Sequence, residues 1–276
     1  YQYYGDSAIL RELYPAQKRL MDYYAKRFTA ANRYTYSTSL GEYGSFKTEV
    51  ADPVTPVINH QYYFYFADYM AKVAATLGDT ADANRYRTLA DAVLAAFVAK
   101  YWNQTAGAFT GVNGDPGNPT ALAGINIESV NAMALAFGMV PGATPAAKAA
   151  NQASTAAAVA NDLKANGDHI QAGVYGLHYL FSVLDEYGYT DLAYGAATQT
   201  TPPSYGDQIA QGATSLWELW ETTSEGQFSH DHHYFSSVGT WFYQGLAGIT
   251  PAAPGYRSVL VIPHVPSNSG TSSVPA

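Results

Sequence analysis

A carboxylate lies between two tryptophans in the C-terminal part of the chain. Glu218 directly follows Trp217 and precedes Trp220 by two positions, within residues 212–221, GATSLWELWE. Large apolar neighbours disfavour the ionised form of a carboxyl group and raise its pKa, which suits a general acid or base. The alternative is a helix whose tryptophans are core anchors and whose glutamates face solvent. The pattern alone fits both interpretations.

A histidine cluster follows the tryptophans. Three of the seven histidines lie within four positions in residues 229–235, SHDHHYF. This spacing is not that of a catalytic zinc motif, and no cysteine is present to complete a ligand set, so we predict no metal site. We expect one imidazole to bind a ligand hydroxyl, and Ser229 or Asp231 to cap a helix that begins here. A solvated surface loop is the structural alternative.

A third candidate is the glycine-punctuated segment 39–46, SLGEYGSF, between two predicted long helices. Loops on a rigid scaffold commonly carry binding residues, so Glu42 and Tyr43 are candidates to line one end of a helical barrel. The alternative is an ordinary connector in which Tyr43 and Phe46 cover the hydrophobic rim.

Most of the chain is predicted to be helical. Apolar residues three and four apart predict long helices over 8–27, 57–77, 82–101 and 146–165. Shorter helical patterns cover 127–137, 173–187, 191–198, 211–222 and 234–247. Loops rich in Gly, Asn, Pro and Thr separate them, which favours helical hairpins laid side by side, with a toroid as the closed form.

The pattern changes near the C-terminus. A β-branched run at 258–263 predicts a strand, and the residues after it form a Ser-, Gly- and Pro-rich tail. We therefore divide the chain into a helical domain at 1–254, which we expect to be N-terminally incomplete, and the first strand of a C-terminal β-domain with its tail at 255–276.

Composition limits the function classes. The 276 residues include 14 Lys and Arg against 22 Asp and Glu, a net charge of -8, which argues against nucleic acid and anionic membrane surfaces as partners. No apolar run is long enough to span a membrane. Only 13% of the residues are charged, whereas 24 residues are tyrosine. A surface of this composition suits uncharged polyhydroxy ligands. This composition is compatible with a secreted or extracellular protein.

Several segments, in the same order, resemble glycoside hydrolase family 78, the bacterial and fungal α-L-rhamnosidases. Residues 203–206, PSYG, followed by GATSLWELWE resemble the family's Pro-Ser-Trp-Gly and Gly-Ala-Thr-Thr-x-Trp-Glu-x-Trp. Residues 229–249 are similar to its Asn-His-x-x-Phe-Gly-x-Val-x-x-Trp-x-Tyr-x-x-x-Ala-Gly-Ile. Residues 40–43, LGEY, stand where the family commonly shows Leu-Gly-Asp-Trp, and 254–263 resemble the strand that opens its C-terminal β-sandwich.

The resemblance implies an all-α (α/α)6 barrel that hydrolyses terminal α-L-rhamnosyl groups with inversion and needs no cofactor or metal. Inversion requires two carboxyl groups roughly 6.5 to 9.5 Å apart, so that a water fits beside the anomeric carbon. By resemblance, Glu218 is the general base, and His232, rather than the histidines on either side, is the sugar-binding histidine. The resemblance further places five residues around the rhamnose: Trp217, Trp220, Tyr205, Glu42 and Tyr43.

Departures from the family pattern matter as well. The family's general acid belongs to a motif Asp-x-x-x-Arg-Glu-Arg-x-Gly-Trp-x-Gly-Asp, which does not occur in these residues. We expect the acid to lie on an upstream segment or a separate chain of the same enzyme, or another group to replace it. Asp231 replaces a common Asn and Thr240 a frequent Glu, which leaves the aglycone and the sugar itself open.

Two other functions compete with rhamnosidase activity. A rhamnosyl-glucuronate lyase on the same barrel is favoured by the many histidines and the absent acid motif, but a uronate carboxylate needs cationic partners and these are few. A non-catalytic fragment that binds carbohydrate on its aromatic residues is the other alternative.

Overall fold

The computed structural model describes residues 1–35, 55–110, 127–220 and 228–267. Helices make up most of these residues. They are α1 (Ala8–Ala25), α2 (Thr55–Leu77), α3 (Thr80–Tyr101), α4 (Ile127–Ala136), α5 (Pro145–Ala165), α6 (Val174–Glu186), α7 (Thr190–Ala197), α8 (Tyr205–Ala210) and α9 (Ser237–Trp241). A π-helical turn, Phe242–Leu246, continues α9.

The predicted long helices are confirmed to within a few residues at each end. Local capping explains the boundaries of two of them. The Thr144 hydroxyl accepts the N–H of Ala147 at 3.1 Å, and Pro145 occupies the first turn of α5. The Asp79 carboxylate accepts the N–H of Asp82 at 2.9 Å at the start of α3. Side chains thus satisfy amide groups that have no partner within their own helix.

Helices α2, α4, α6 and α9, which we call the inner helices, contact one another in that order. Helices α3, α5 and α7 pack against α2, α4 and α6, respectively. Helix α4 is the most enclosed, with every residue from Glu128 to Leu135 buried. At Gly176 of α6, a Cβ atom would lie 2.4 Å from the Cα of Ser129, so glycine is required for the close approach of α4 and α6.

Two short antiparallel sheets flank the helices. Strands β1 (Trp102–Asn103) and β2 (Ala108–Phe109) follow α3. Strand β3 (Ile249–Pro251) pairs with β4 (Val259–Val261), with Thr250 opposite Leu260. Strand β4 confirms the predicted strand near the C-terminus, whereas β3 was not predicted. The assignment of residues 255–276 to a separate domain stays a prediction. In the described ranges, each helix is too short or too polar to cross a bilayer.

Candidate functional site

Residues 211–220, directly after α8, are not helical. The N–H of Glu218 donates to the carbonyl of Ser229 at 2.9 Å, and the N–H of His232 donates to the carbonyl of Leu216 at 2.8 Å. The backbone therefore pairs with a distant segment instead of with the residue four positions earlier. The predicted helix over this segment is wrong because these long-range hydrogen bonds replace the helical ones.

The predicted helix start in the histidine cluster is also wrong. Helix α9 begins at Ser237, several residues later. The hydroxyl of Ser229 instead accepts the N–H of Asp231 at 3.1 Å and donates to the Asp231 carbonyl at 3.0 Å. These two residues satisfy each other's polar groups in a local turn, a common alternative to helix capping for serine.

Two buried indoles anchor the segment that carries Glu218. Trp220, 2% exposed, stacks on Phe235 with ring centroids 4.2 Å apart and meets Tyr205 edge-on at 5.0 Å. Trp217, 5% exposed, stacks on His230 at 4.0 Å with an interplanar angle of 10°. The tryptophans are therefore core anchors, as the structural interpretation of the motif predicted.

Glu218 nevertheless is not fully exposed. Its side chain is half-buried and lines a cavity of about 570 Å³, which we call the Glu218 cavity. The Oε2 atom accepts the N–H of Ser229 at 2.9 Å. With the backbone bond between the same two residues, this contact holds the carboxylate in one orientation.

Helices α2, α6 and α9 and the two segments before α9 line the Glu218 cavity. The other described lining residues are Tyr62 of α2, Val174, Tyr175, His178 and Tyr179 of α6, His233, Tyr234 and Ser236 before α9, and Ser237 and Thr240 within it. Among these, Glu218 is the only carboxylate, and none is Arg or Lys. The described lining therefore offers hydroxyl, phenol and imidazole groups, which suit an uncharged polyhydroxy ligand.

Desolvation in the cavity lowers the pKa of the His178 imidazole below its usual value and raises the pKa of the Tyr179 phenol to about 12. At neutral pH both groups are therefore neutral, and each offers a hydrogen-bond donor and an acceptor.

The histidine cluster places its members differently. His233 lines the Glu218 cavity, and the His232 ring stacks on it with centroids 5.0 Å apart and an interplanar angle of 10°. Nδ1 of His232 accepts the N–H of Tyr234 at 3.2 Å. With Nδ1 acting as an acceptor, Nε2 is the ring nitrogen left to donate a hydrogen bond. The sugar-binding role of His232 stays a prediction.

Tyr205 lies behind the tryptophans. It is 8% exposed, and its hydroxyl donates to the carbonyl of Phe235 at 2.8 Å. Burial raises its pKa above the usual value. Tyr205, Trp217 and Trp220 are buried next to the segment that carries Glu218. None of them is among the described lining residues of the cavity. Glu42 and Tyr43 lie outside the described residues.

The contribution of α6 to the cavity was not predicted from the sequence. Tyr175, His178 and Tyr179 occupy helical positions, so their pattern resembled that of an ordinary amphipathic helix. The signal available in the sequence was the spacing of three polar aromatic residues at i, i+3 and i+4, which places them on one face. No cluster of three or more His, Cys, Asp or Glu side chains suited to a metal ion occurs among the described residues.

Comparisons with known proteins agree with this architecture. Residues 1–246 match the family of bacterial alpha-L-rhamnosidase 6 hairpin glycosidase domains. The chain is 30% identical over 280 residues to an alpha-L-rhamnosidase of Streptomyces avermitilis, an alignment that covers 99% of this chain and 24% of that protein. An alpha-L-rhamnosidase of an Alteromonas species is 26% identical over 282 residues, covering 98% of this chain and 28% of that one. The chain thus spans about a quarter of the length of these relatives.

Solved structures show the same similarity. The Streptomyces avermitilis alpha-L-rhamnosidase complexed with L-rhamnose superposes with a TM-score of 0.80 at 28% identity, covering 97% of this chain and 24% of that one. The alpha-L-rhamnosidase from Dictyoglumus thermophilum gives a TM-score of 0.79 at 29% identity, covering 96% of this chain and 28% of that one. The predicted all-α six-hairpin fold is confirmed.

Proposed function

Because the chain belongs to the family of bacterial α-L-rhamnosidase six-hairpin glycosidase domains, we propose that the full-length protein hydrolyses terminal α-L-rhamnosyl groups with inversion. The observation that carries this proposal is a carboxylate, Glu218, held on the wall of a cavity whose other described lining groups bear no fixed charge. The relatives named alpha-L-rhamnosidase, one of them solved with L-rhamnose, support the choice of sugar.

In this mechanism Glu218 is the general base. Its carboxylate removes a proton from a water molecule as that water attacks the anomeric carbon from the face opposite the leaving group. A general acid protonates the glycosidic oxygen as the bond to the anomeric carbon breaks. The Ser229 N–H holds the Glu218 carboxylate in position for the water, and positioning of this kind is a large part of general-base efficiency.

The second carboxyl group is part of the proposal. Glu218 is the one carboxylate in the described lining of the cavity. We therefore propose that the general acid comes from a segment outside the described residues, either elsewhere in the same polypeptide or on a separate chain. It has to lie roughly 6.5 to 9.5 Å from Glu218 for the water to fit.

The cavity chemistry argues against the lyase alternative. A uronate carboxylate is usually bound by Arg or Lys, and the described lining contains neither. Phenols, hydroxyls and imidazoles instead match the hydroxyl groups of a neutral sugar such as rhamnose.

The test is the anomeric form of the first product. We expect the full-length protein, incubated with an aryl α-L-rhamnoside and followed by ¹H NMR, to release β-L-rhamnose before mutarotation produces the α anomer. Early α-L-rhamnose would mean retention and would overturn the role of Glu218 as base. Binding without any rhamnose release would select the non-catalytic alternative, and an ultraviolet-absorbing unsaturated uronate from a rhamnosyl-glucuronate substrate would select the lyase.

A further inference from the structure

We propose that His230, stacked on Trp217, is a positioning residue for the reaction: it fixes Ser229, and Ser229 in turn holds the carboxylate of Glu218. This inference rests on the proposed function. His230 itself does not touch the reacting atoms, so its effect has to pass through the two segments that meet beside the Glu218 cavity.

These two segments, residues 215–218 and residues 229–232, lie side by side. Their backbone hydrogen bonds link the end of the first segment to the start of the second, and an earlier residue of the first to the end of the second. The segments therefore run in opposite directions. Trp217 and His230 lie between these bonds and contact each other, as a cross-strand pair does in a sheet.

The stack of Trp217 and His230 is close and nearly parallel. The ring centroids lie 4.0 Å apart, and the interplanar angle is 10°. Trp217 is 5% exposed, whereas His230 is an exposed residue, so the imidazole covers a buried indole from the solvent side. Stacked aromatic rings take up a preferred relative geometry. The indole, which is fixed in the core, therefore restricts the position of His230.

A second contact holds the backbone of His230. The Ser215 hydroxyl donates a hydrogen bond to the His230 carbonyl at 2.6 Å. His230 is thus held both by its ring and by its peptide group. Ser229, the preceding residue, is restricted as well, because the planar peptide bond leaves only two soft dihedral angles per residue between them.

Ser229 contacts Glu218 twice. Its carbonyl accepts the N–H of Glu218, and its own N–H donates to Oε2 of the carboxylate, each at 2.9 Å. A shift of Ser229 would consequently move the carboxylate relative to the water that it activates. Catalysis is sensitive to such shifts, since a misplacement of about 1 Å can cost about 10²-fold in rate.

His230 has no place on the surface that meets the ligand. Neither His230 nor Trp217 is among the described lining residues of the Glu218 cavity. Removal of a ligand contact would raise KM, whereas displacement of the general base lowers kcat and leaves KM nearly unchanged. The two roles therefore give different kinetic results.

Steady-state kinetics of full-length variants with an aryl α-L-rhamnoside measures this difference. His230→Ala should lower kcat about tenfold, with KM within about twofold of the wild-type value. His230→Phe keeps a flat ring on the indole and should recover most of the loss. Ser215→Ala removes only the hydrogen bond to the His230 carbonyl and should lower kcat about threefold.

Tyr3→Ala is the matched control. Tyr3 is also an exposed ring in a stack, with the ring of Tyr256 at 5.9 Å, and neither ring is among the described lining residues. Its truncation should leave kcat and KM at their wild-type values.

A second background separates positioning of Glu218 from a general structural role. Azide attacks the anomeric carbon without losing a proton, so the reaction of the Glu218→Ala protein with azide needs no base. Adding His230→Ala to that protein should change the rate of rhamnosyl azide formation less than about twofold, because the group that His230 positions is absent. If His230→Ala does not fold, Ser215→Ala gives the same comparison in both backgrounds.

Three results would overturn the role of His230: wild-type kcat in His230→Ala, a raised KM with unchanged kcat, or an equal loss of rate with and without the Glu218 side chain. Undiminished hydrolysis by Glu218→Ala alone would instead overturn the proposed function, so the two failures are distinguishable.

Discussion

The inner helices and the segment that carries Glu218 are stabilised in different ways. Helix α4 is enclosed by its neighbours over most of its length, with every residue from Glu128 to Leu135 buried. Residues 211–220 depend on hydrogen bonds to the stretch before α9, and Glu218 and Ser229, which form two of them, are 11 positions apart. Two buried indoles hold that segment in the core. The comparison shows that the scaffold follows from local periodicity, whereas the site depends on a few long-range contacts.

The largest effect is expected at the carboxylate. Glu218→Gln retains an oxygen that accepts the Ser229 N–H but cannot remove a proton, so kcat should fall about 10²- to 10⁴-fold with an unchanged melting temperature. Glu186→Gln, at an exposed carboxylate at the end of α6, is the matched control and should retain full activity. Steady-state kinetics with an aryl α-L-rhamnoside checks both, and a variant with more than a tenth of wild-type kcat would contradict the role of Glu218.

The second prediction compares the anchor of the site with the helical core. Trp220→Ala should lower the free energy of unfolding by about 3 to 5 kcal/mol, as much as Phe97→Ala in α3. Both side chains are fully enclosed, so each truncation leaves a cavity. Urea denaturation of the two variants measures the difference, and a cost below about 1 kcal/mol for Trp220→Ala would show that the segment is not anchored by this residue.

A third prediction concerns how the stability of the helical core depends on pH. His60 of α2 is buried, and desolvation lowers its pKa to about 4, although its Nε2 lies 3.0 Å from the Val93 carbonyl. Above pH 6.5 the imidazole is neutral in both states. Below it the unfolded chain binds a proton that the folded protein takes up only near pH 4, so stability falls over this interval by about 3 kcal/mol.

The measurement is the free energy of unfolding at several values between pH 7 and pH 4. His60→Leu cannot titrate, so its curve should be flatter than the wild-type curve over that interval, whatever the offset between the two proteins. Parallel curves would show that the burial of His60 does not govern the acid sensitivity of the core.

The smallest loss of stability is expected for a change at Tyr205. Tyr205→Phe removes the hydroxyl that donates to the Phe235 carbonyl and should cost about 1 to 2 kcal/mol of stability. Because the structure places Tyr205 behind Trp220, KM for an aryl rhamnoside should stay unchanged. A raised KM with unaltered stability would instead assign Tyr205 to the sugar, as the family resemblance implied.

The helical scaffold was easier to predict from the sequence than the segment that carries Glu218. Helix α5 was predictable because its start has a local capping residue and a proline, and its apolar positions repeat with helical spacing. The motif around Glu218 was recognisable from residue type, but its conformation was not, since the hydrogen-bond partners of Glu218 and Leu216 lie far along the chain.

The cavity wall could not be predicted for a related reason. Which face of α6 meets the core and which meets the cavity depends on how α4 and α9 pack against it, and a helical pattern does not contain that information. His178 consequently looked like one more scattered histidine. The roles of Glu42 and Tyr43 stay predictions.

The most direct test of the central claim, that Glu218 activates the attacking water, is chemical rescue. Glu218→Ala removes the base and leaves room for azide, which needs no deprotonation to attack the anomeric carbon. With an aryl α-L-rhamnoside and sodium azide, we expect this variant of the full-length protein to form β-L-rhamnosyl azide, identified by NMR. Formation of the α-azide, or undiminished hydrolysis without azide, would contradict the assignment.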